Sequence, residues 1–130
     1  FLKENFVPLQ DSGRVKFIDV QRDPVKWMDN LDVHFTYGHT EAMMILHAQT
    51  ERGPLVFCAD LMPSVHHIGL PYVMSYDIRP LNSLEEKEAL TTGALEGNWN
   101  LFMEHDANNE VCTVKKNERG RIVIDKIFNW

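Results

Sequence analysis

The sequence has few cysteines, no long apolar run and more acidic than basic residues, and each shortage excludes a class of protein. Its two cysteines, Cys58 and Cys112, form no CxxC or Cys/His pattern, which excludes a zinc knuckle and argues against a disulfide framework. No apolar run approaches the roughly 18 residues of a membrane-spanning helix, so we expect no membrane partner. Thirteen basic against nineteen acidic residues give a net charge of -6, which repels a phosphate backbone. We therefore expect no nucleic-acid partner.

The remaining composition predicts one β-rich globular domain. The chain has 130 residues, of which 44% are hydrophobic and 25% charged, enough for a single core. Links that contain glycine, at 51–54 and 117–120, predict antiparallel hairpins. Short runs rich in β-branched and aromatic residues predict strands at 15–20, 33–37, 42–49, 55–59, 99–103, 111–115 and 121–127.

Helical signals are confined to two places. Ser83 and Glu86 have the spacing of a capping box, which predicts a helix over 84–96 that stops at Gly97. Pro24 suits the first position of a shorter helical turn over 24–30. The expected fold class is α+β, with one mixed sheet and helix 84–96 packed on one of its faces.

Three residues of the kind that bind metals follow strands that should point the same way. The hairpins and a helical crossover would make strands 33–37, 55–59 and 99–103 end at one sheet edge. His39, Asp60 and His105 come directly after those ends. Imidazole nitrogens and carboxylate oxygens are ligands that a zinc-like cation takes. Taken singly, each residue has an equally good structural interpretation, as a satisfied polar group or a turn aspartate.

At this point the sequence resembles a known family. Its motifs are similar in order and spacing to the second half of the metallo-β-lactamase-fold hydrolases. They are Phe35-Thr36-Tyr37-Gly38-His39-Thr40, Leu55-Val56-Phe57-Cys58-Ala59-Asp60-Leu61 and Leu101-Phe102-Met103-Glu104-His105-Asp106. The resemblance implies the β-rich half of an αβ/βα sandwich. It also implies that His39 binds a first metal, that Asp60 bridges two and that His105 binds the second.

The resemblance implies a divalent metal cofactor, with zinc expected and iron or manganese compatible, and two ions in the complete protein. In such a protein a metal-activated water attacks an ester, lactone, thioester or similar bond of a small-molecule substrate. Two departures affect no metal ligand: Met43 stands where the family often has a histidine, and Ala59 where it often has a glycine before the aspartate.

A third departure concerns the family's His-x-His-x-Asp-His motif, which supplies most metal ligands and the residue that handles the water proton. The motif does not occur in these 130 residues, and the chain opens on Phe1 without an initiator methionine. We therefore expect residues 1–130 to be the C-terminal half of such a domain, with no catalytic base of its own. Alone, it should bind zinc at micromolar affinity or weaker and catalyse little.

Two partners follow from this expectation. The missing N-terminal half of the same protein should complete the site. An apolar sheet face without its cover would also favour a homodimer. That face should include some of Phe35, Met43, Ile45, Phe57 and Phe102.

The loop after Asp60 is long, aromatic and rich in histidine. His67 and Tyr72 are its candidate substrate-binding residues, although the loop could equally serve only to cover the sheet edge. The alternative to a hydrolase is a non-catalytic β-rich binding or interaction module, in which His39, Asp60 and His105 are structural. The two hypotheses differ in whether these three side chains converge at one sheet edge. The cytoplasm is the default compartment.

Overall fold

The computed structural model describes residues 2–130, and this part of the chain forms one seven-stranded sheet with two α-helices. The helices are α1 (Lys3–Asp11) and α2 (Pro80–Gly97). The strands are β1 (Val25–Met28), β2 (Leu31–Thr36), β3 (Met43–Thr50), β4 (Gly53–Phe57), β5 (Asn100–Phe102), β6 (Val111–Lys116) and β7 (Ile122–Phe128).

The strands lie in the sheet in the same order as in the sequence. Every neighbouring pair is antiparallel except β4 and β5, which run parallel and are joined by the α2 crossover. The expected α+β class with one mixed sheet is therefore confirmed. Six of the seven predicted strands are present, and the predicted hairpin links join β3 to β4 and β6 to β7.

The first thirty residues differ from the prediction. Residues 15–20 form no strand; Phe17, for example, is 78% exposed. The helical turn predicted at 24–30 is also wrong, because β1 occupies that place and pairs with β2, with Val25 opposite Val33. Pairing with a neighbouring strand outweighed the local helix-start signal of Pro24. Helix α1, which has no buried residue, was not predicted.

Helix α2 contains the predicted helix 84–96 but begins four residues earlier. Pro80 occupies its first turn and Arg79 is its N-cap residue, without a side-chain capping bond. The predicted capping box is therefore wrong: Ser83 lies inside the helix and is buried, and the Glu86 carboxylate bonds to the turn after β2. At the other end Asn98, one residue past Gly97, takes the left-handed conformation that terminates the helix.

Helix α2 and the core lie on one face of the sheet. Ile45, Val56 and Leu101 point to this face and are almost completely buried. Met43 lies two residues from Ile45 on the same face and packs against the core. Of the five candidates for an uncovered apolar face, Met43 and Ile45 therefore lie on the covered side of the sheet.

The opposite face carries the other candidates for that surface. Phe35 is the register partner of Met44, and Phe57 lies beside Phe102 with ring centroids 6.0 Å apart. The three phenylalanines are half-buried, Phe57 also packs against the core, and Met44 is 48% exposed. This set, Phe35, Met44, Phe57 and Phe102, is called the open face below.

Two further features of the described residues concern the predictions about cysteines and membrane-spanning helices. Cys58 and Cys112 are both free and buried, and burial raises the pKa of each thiol, that of Cys112 to about 12. Neither helix of residues 2–130 has the length and apolar character needed to cross a membrane.

Candidate metal centre

The three predicted ligand residues meet at one edge of the sheet. His39 follows β2, Asp60 follows β4 and His105 follows β5, and the parallel pairing of β4 with β5 brings the last two residues side by side. The Asp60 Oδ2 atom lies 3.4 Å from His39 Nε2, and Asp60 Oδ1 lies 3.2 Å from His105 Nε2. The two carboxylate oxygens of Asp60 thus face two different imidazoles.

These distances suit ligands of a common cation. Two donors that each bind zinc at 2.0–2.2 Å in tetrahedral geometry are about 3.4 Å apart. Asp60 is partly exposed at 29%, and His105 is open to solvent at 59%, so an ion and a substrate can reach the cluster. The donor set of imidazole nitrogens and carboxylate oxygens therefore fits a divalent cation of the zinc type.

His39 is held by a second carboxylate that the sequence analysis did not identify. Its Nδ1 atom lies 2.8 Å from Asp77 Oδ1, and both side chains are largely buried, at 12% and 3% exposure. The Tyr76 ring lies edge-on to the imidazole, with centroids 6.2 Å apart. A carboxylate on the far nitrogen is the usual support for a metal-binding histidine, because it fixes the tautomer and the ring orientation.

The two contacts of His39 also restrict its protonation. A neutral imidazole has a proton on one nitrogen only, yet both nitrogens of His39 face carboxylate oxygens. With the proton on Nδ1 donated to Asp77, the Nε2 lone pair faces the Asp60 carboxylate. A divalent cation held by Nε2 and Asp60 would balance that arrangement.

Glu104 adds a further carboxylate to the cluster. Its donor atom, with those of Asp60 and His105, forms a group whose members all lie within 4.8 Å of one another. Glu104 is exposed and directly precedes His105. Its position next to that histidine was the only feature of the sequence that could have indicated its place in the cluster. The next residue, Asp106, has a structural role: it accepts hydrogen bonds from the backbone N–H groups of Val65 and Asn109. Desolvation opposes the effect of these bonds, yet they lower the pKa of Asp106.

The backbone before Asp60 is unusual. Ala59 has φ +46°, in the left-handed region that favours glycine, and begins a short 3-10 helix, Ala59–Leu61. The preceding Cys58 donates its N–H to the Phe102 carbonyl at 3.1 Å and so extends the β4–β5 pairing to the edge. The sharp turn at Ala59 directs the Asp60 side chain towards the two histidines.

A cavity of about 370 Å³ lies over the cluster. Asp60 and His105 form part of its wall, together with Pro63, Ser64, His67, Met74 and Tyr76. His67 is one of the two predicted substrate-binding residues. The other, Tyr72, is 65% exposed and is not part of this wall; Tyr76, four residues later, lies there instead. The loop has no periodic pattern from which this difference could be predicted.

Among residues 2–130, the His67 ring makes one side-chain hydrogen bond, through Nδ1. Its Nδ1 lies 2.9 Å from Ser64 Oγ, which leaves Nε2 without a partner in that pair. Burial lowers the pKa of His67, assisted by the positive charge of Lys87, so the ring is neutral near pH 7.

The described residues thus combine one mixed sheet with a cluster of imidazole and carboxylate side chains at one of its edges. No family model matches the chain, and no curated protein is similar to it at a significant level. Solved structures do match. One is a probable metal-dependent hydrolase from Staphylococcus aureus, with a TM-score of 0.69 and 22% identity over 82% of this chain.

Two others cover 98% of the chain each. The first is AbOPH, a hydrolase in the β-lactamase superfamily, with a TM-score of 0.78 and 18% identity. The second is AidC, a dizinc quorum-quenching lactonase, with a TM-score of 0.68 and 16% identity. The chain spans 37%, 43% and 45% of the lengths of these three structures. The expected resemblance is thereby confirmed at the level of fold: the chain folds like part of a β-lactamase-superfamily hydrolase.

Proposed function

We propose that the chain forms part of a metal-dependent hydrolase and supplies His39, Asp60 and His105 as metal ligands. One observation carries the proposal: the two oxygens of Asp60 face His39 Nε2 at 3.4 Å and His105 Nε2 at 3.2 Å. Asp60 would hold the divalent metal together with the two histidines. Zinc suits the donor set, and iron or manganese could use it as well.

The bound metals would lower the pKa of a water molecule and polarise the bond that it attacks. This chain's contribution is to hold ligands. Asp77 accepts the Nδ1 proton of His39 and keeps Nε2 directed at the cluster. The short 3-10 helix after Ala59 holds Asp60 in place between the histidines. We assign no catalytic base to these residues and propose that it belongs to the rest of the protein.

Three protein ligands do not complete two metal sites. We propose that the remaining ligands come from an N-terminal half of the same domain, so that residues 1–130 alone are inactive. The lengths of the matching structures support this, because the chain spans less than half of each of the three described above.

The cavity favours a small ester or lactone as substrate. Its lining residues divide into a polar set, Asp60, Ser64, His67 and His105, and a largely apolar set, Pro63, Met74 and Tyr76. A substrate with a polar reacting group and an apolar tail matches this division. We propose that the free Nε2 of the neutral His67 ring bonds to the substrate's polar group. Two solved structures with this fold contain N-hexanoyl- and N-decanoyl-homoserine, respectively.

We further propose that the rest of the protein covers the open face formed by Phe35, Met44, Phe57 and Phe102. Packing apolar rings against another layer removes them from water. When the chain is expressed alone, a second copy would take that place and give a homodimer. Light scattering at high concentration tests this: a monomer would remove the dimer from the proposal.

Metal analysis and hydrolysis assays on the full-length protein, purified without chelator, test the function. We expect about two metal ions per chain and hydrolysis of a generic ester or lactone, with both lost in His39→Ala, Asp60→Ala and His105→Ala. His66→Gln is the matched control, because His66 lies in the loop after Asp60, is exposed and does not line the cavity. A protein that is metal-free and inert would overturn the proposal and favour an interaction module.

A further inference from the structure

Glu86 of α2 holds the turn that carries His39. Its Oε1 accepts the backbone N–H of Tyr37 at 2.6 Å, and its Oε2 accepts that of Gly38 at 3.0 Å. One carboxylate thus satisfies two successive donors directly before the ligand. Gly38 packs so closely on the helix that a Cβ atom there would overlap Ser83. The turn can therefore approach α2 only because residue 38 has no side chain.

The next residue of the helix, Lys87, holds the opposite segment. Its ammonium group is completely buried and donates to the carbonyl groups of Gly69 at 2.7 Å, Leu70 at 3.2 Å and Tyr72 at 2.6 Å. Burial lowers the pKa of Lys87 to about 8, and the charge of Asp77 opposes that shift. All three ammonium donors are used on one loop.

A buried lysine is costly, and no salt bridge to a carboxylate within 4 Å offsets the cost here among residues 2–130. The three bonds of Lys87 therefore indicate a local ordering role. The loop that they fix continues to Tyr76 in the cavity wall and to Asp77.

The two segments meet in the hydrogen bond between His39 Nδ1 and Asp77. Backbone bonds from the Ile78 N–H to the His39 carbonyl at 3.3 Å and from the Arg79 N–H to the Gly38 carbonyl at 2.9 Å join them as well. His39 comes from the turn that Glu86 holds, and Asp77 comes from the loop that Lys87 holds. Adjacent residues of an α-helix point about 100° apart, so a single turn of α2 can reach both segments. The bond between His39 Nδ1 and Asp77 in turn sets the direction of Nε2 towards Asp60.

We propose that Glu86 and Lys87 are positioning residues of the metal centre, which fix the His39–Asp77 hydrogen bond by attaching its two segments to neighbouring positions of α2. The proposal deepens the metal-binding function above and rests on it. Neither side chain contacts the cluster itself. Both act through the backbone of the segments that they hold.

The test uses the full-length protein and two variants of similar side-chain size. Glu86→Gln replaces one acceptor oxygen by an amide group, and Lys87→Met keeps the aliphatic stem but loses all three donors. Glu85→Gln and Glu88→Gln are controls, since both residues are exposed on the same helix. The first readout is zinc affinity, which we expect to fall about 10- to 100-fold in the two variants, as for loss of a supporting partner. We expect no change in the controls.

The second readout needs no metal. In the chelator-treated protein, the Nδ1 proton of His39 bonded to Asp77 should give a downfield imidazole N–H signal in NMR, assigned by its loss in His39→Gln. We expect this signal to weaken or vanish in Glu86→Gln and Lys87→Met. If wild type binds no zinc, the proposed function fails while the signal still tests the positioning role.

If Lys87→Met does not fold, Glu86→Gln alone decides the question. A folded Glu86→Gln protein that keeps both the zinc affinity and the His39 signal of the wild type would overturn the proposal.

Discussion

His39 Nδ1 lies 2.8 Å from Asp77 Oδ1, and the Asp77 side chain is almost completely buried. The carboxylate is thus removed from water by a single imidazole partner and the surrounding loop. Burial of an unpaired carboxylate is expensive, so the pair constrains the ring strongly. The direction of His39 Nε2 is therefore set before any ion binds.

Removal of this carboxylate should weaken metal binding. We expect Asp77→Ala to lower zinc affinity about 10- to 100-fold, because His39 then loses its fixed tautomer and orientation. Asp77→Asn retains a neutral acceptor and should lie between Asp77→Ala and wild type. Competition titration against a chromophoric chelator measures the affinity. Asp29→Ala, in the exposed β1–β2 turn, is the control. Unchanged affinity in a folded Asp77→Ala protein would show that Asp77 does not support the ligand.

Ala59 should be a site at which glycine is stabilising. Its φ of +46° costs an L-residue about 1–2 kcal/mol, whereas glycine adopts it freely. Glycine also favours the unfolded chain by about 0.4–1 kcal/mol through its greater conformational entropy. Ala59→Gly should therefore raise the free energy of unfolding by about 0.5–1 kcal/mol. Urea unfolding measures it. Ala48→Gly, inside β3, should lower the free energy of unfolding. If both variants changed the free energy of unfolding in the same direction, the strain argument would be refuted.

His47 should make stability depend on pH away from the metal centre. Burial, followed by the charge of His34, lowers the pKa of His47 to about 4, while Asp32 opposes the shift. The unfolded chain, with a pKa near 6.5, binds the proton first as the pH falls. Stability should therefore be fully present above pH 6.5 and decrease between 6.5 and about 4, by at most about 3 kcal/mol.

The comparison variant for that prediction is His47→Phe. His47 is edge-on to Trp99, with centroids 4.8 Å apart, and a phenylalanine ring can keep this contact without titrating. Thermal unfolding of both metal-free proteins across this pH range gives the difference between them. Parallel stability curves for wild type and His47→Phe would be incompatible with a depressed His47 pKa.

Residues 1–130 expressed alone should bind zinc only at micromolar affinity or weaker. His39, Asp60 and His105 would supply three ligands for the two proposed metal positions, and the exposed Glu104 would add one carboxylate. Isothermal titration with zinc measures this, with His105→Ala as the variant that should weaken the binding further. A tight stoichiometric transition would contradict the incomplete-site interpretation.

The sequence predicted that His39, Asp60 and His105 meet at one sheet edge, because their placement depends on strand direction, which hairpins and a crossover determine locally. His39, Asp60 and His105 each follow a strand whose pattern is strong, and the parallel pairing of β4 and β5 was expected from the helix between them. The supporting residues were not predictable in this way. Asp77 lies in a loop without periodicity, and its partner is 38 positions away in sequence.

Glu86 shows how a local pattern can be misread. Its spacing from Ser83 matches a capping box, yet the helix begins at Pro80 and Glu86 bonds across to Tyr37. A cap signal and a tertiary anchor require the same residue type, because both accept backbone N–H groups. Tertiary contact also explains why residues 25–28 form strand β1 and no helical turn. The pairing of Val25 with Val33 outweighed the helix-start signal of the preceding proline.

The order of the strands has a consequence for folding kinetics. Every pairing except one joins strands that follow each other closely in sequence, so hairpins can form early at little loop-closure cost. The parallel β4–β5 pairing alone must wait until the chain from 58 to 99, including α2, has been brought back. Asp60 and His105 flank that pairing. The sheet edge that carries Asp60 and His105 is therefore the part of the sheet that we expect to assemble last.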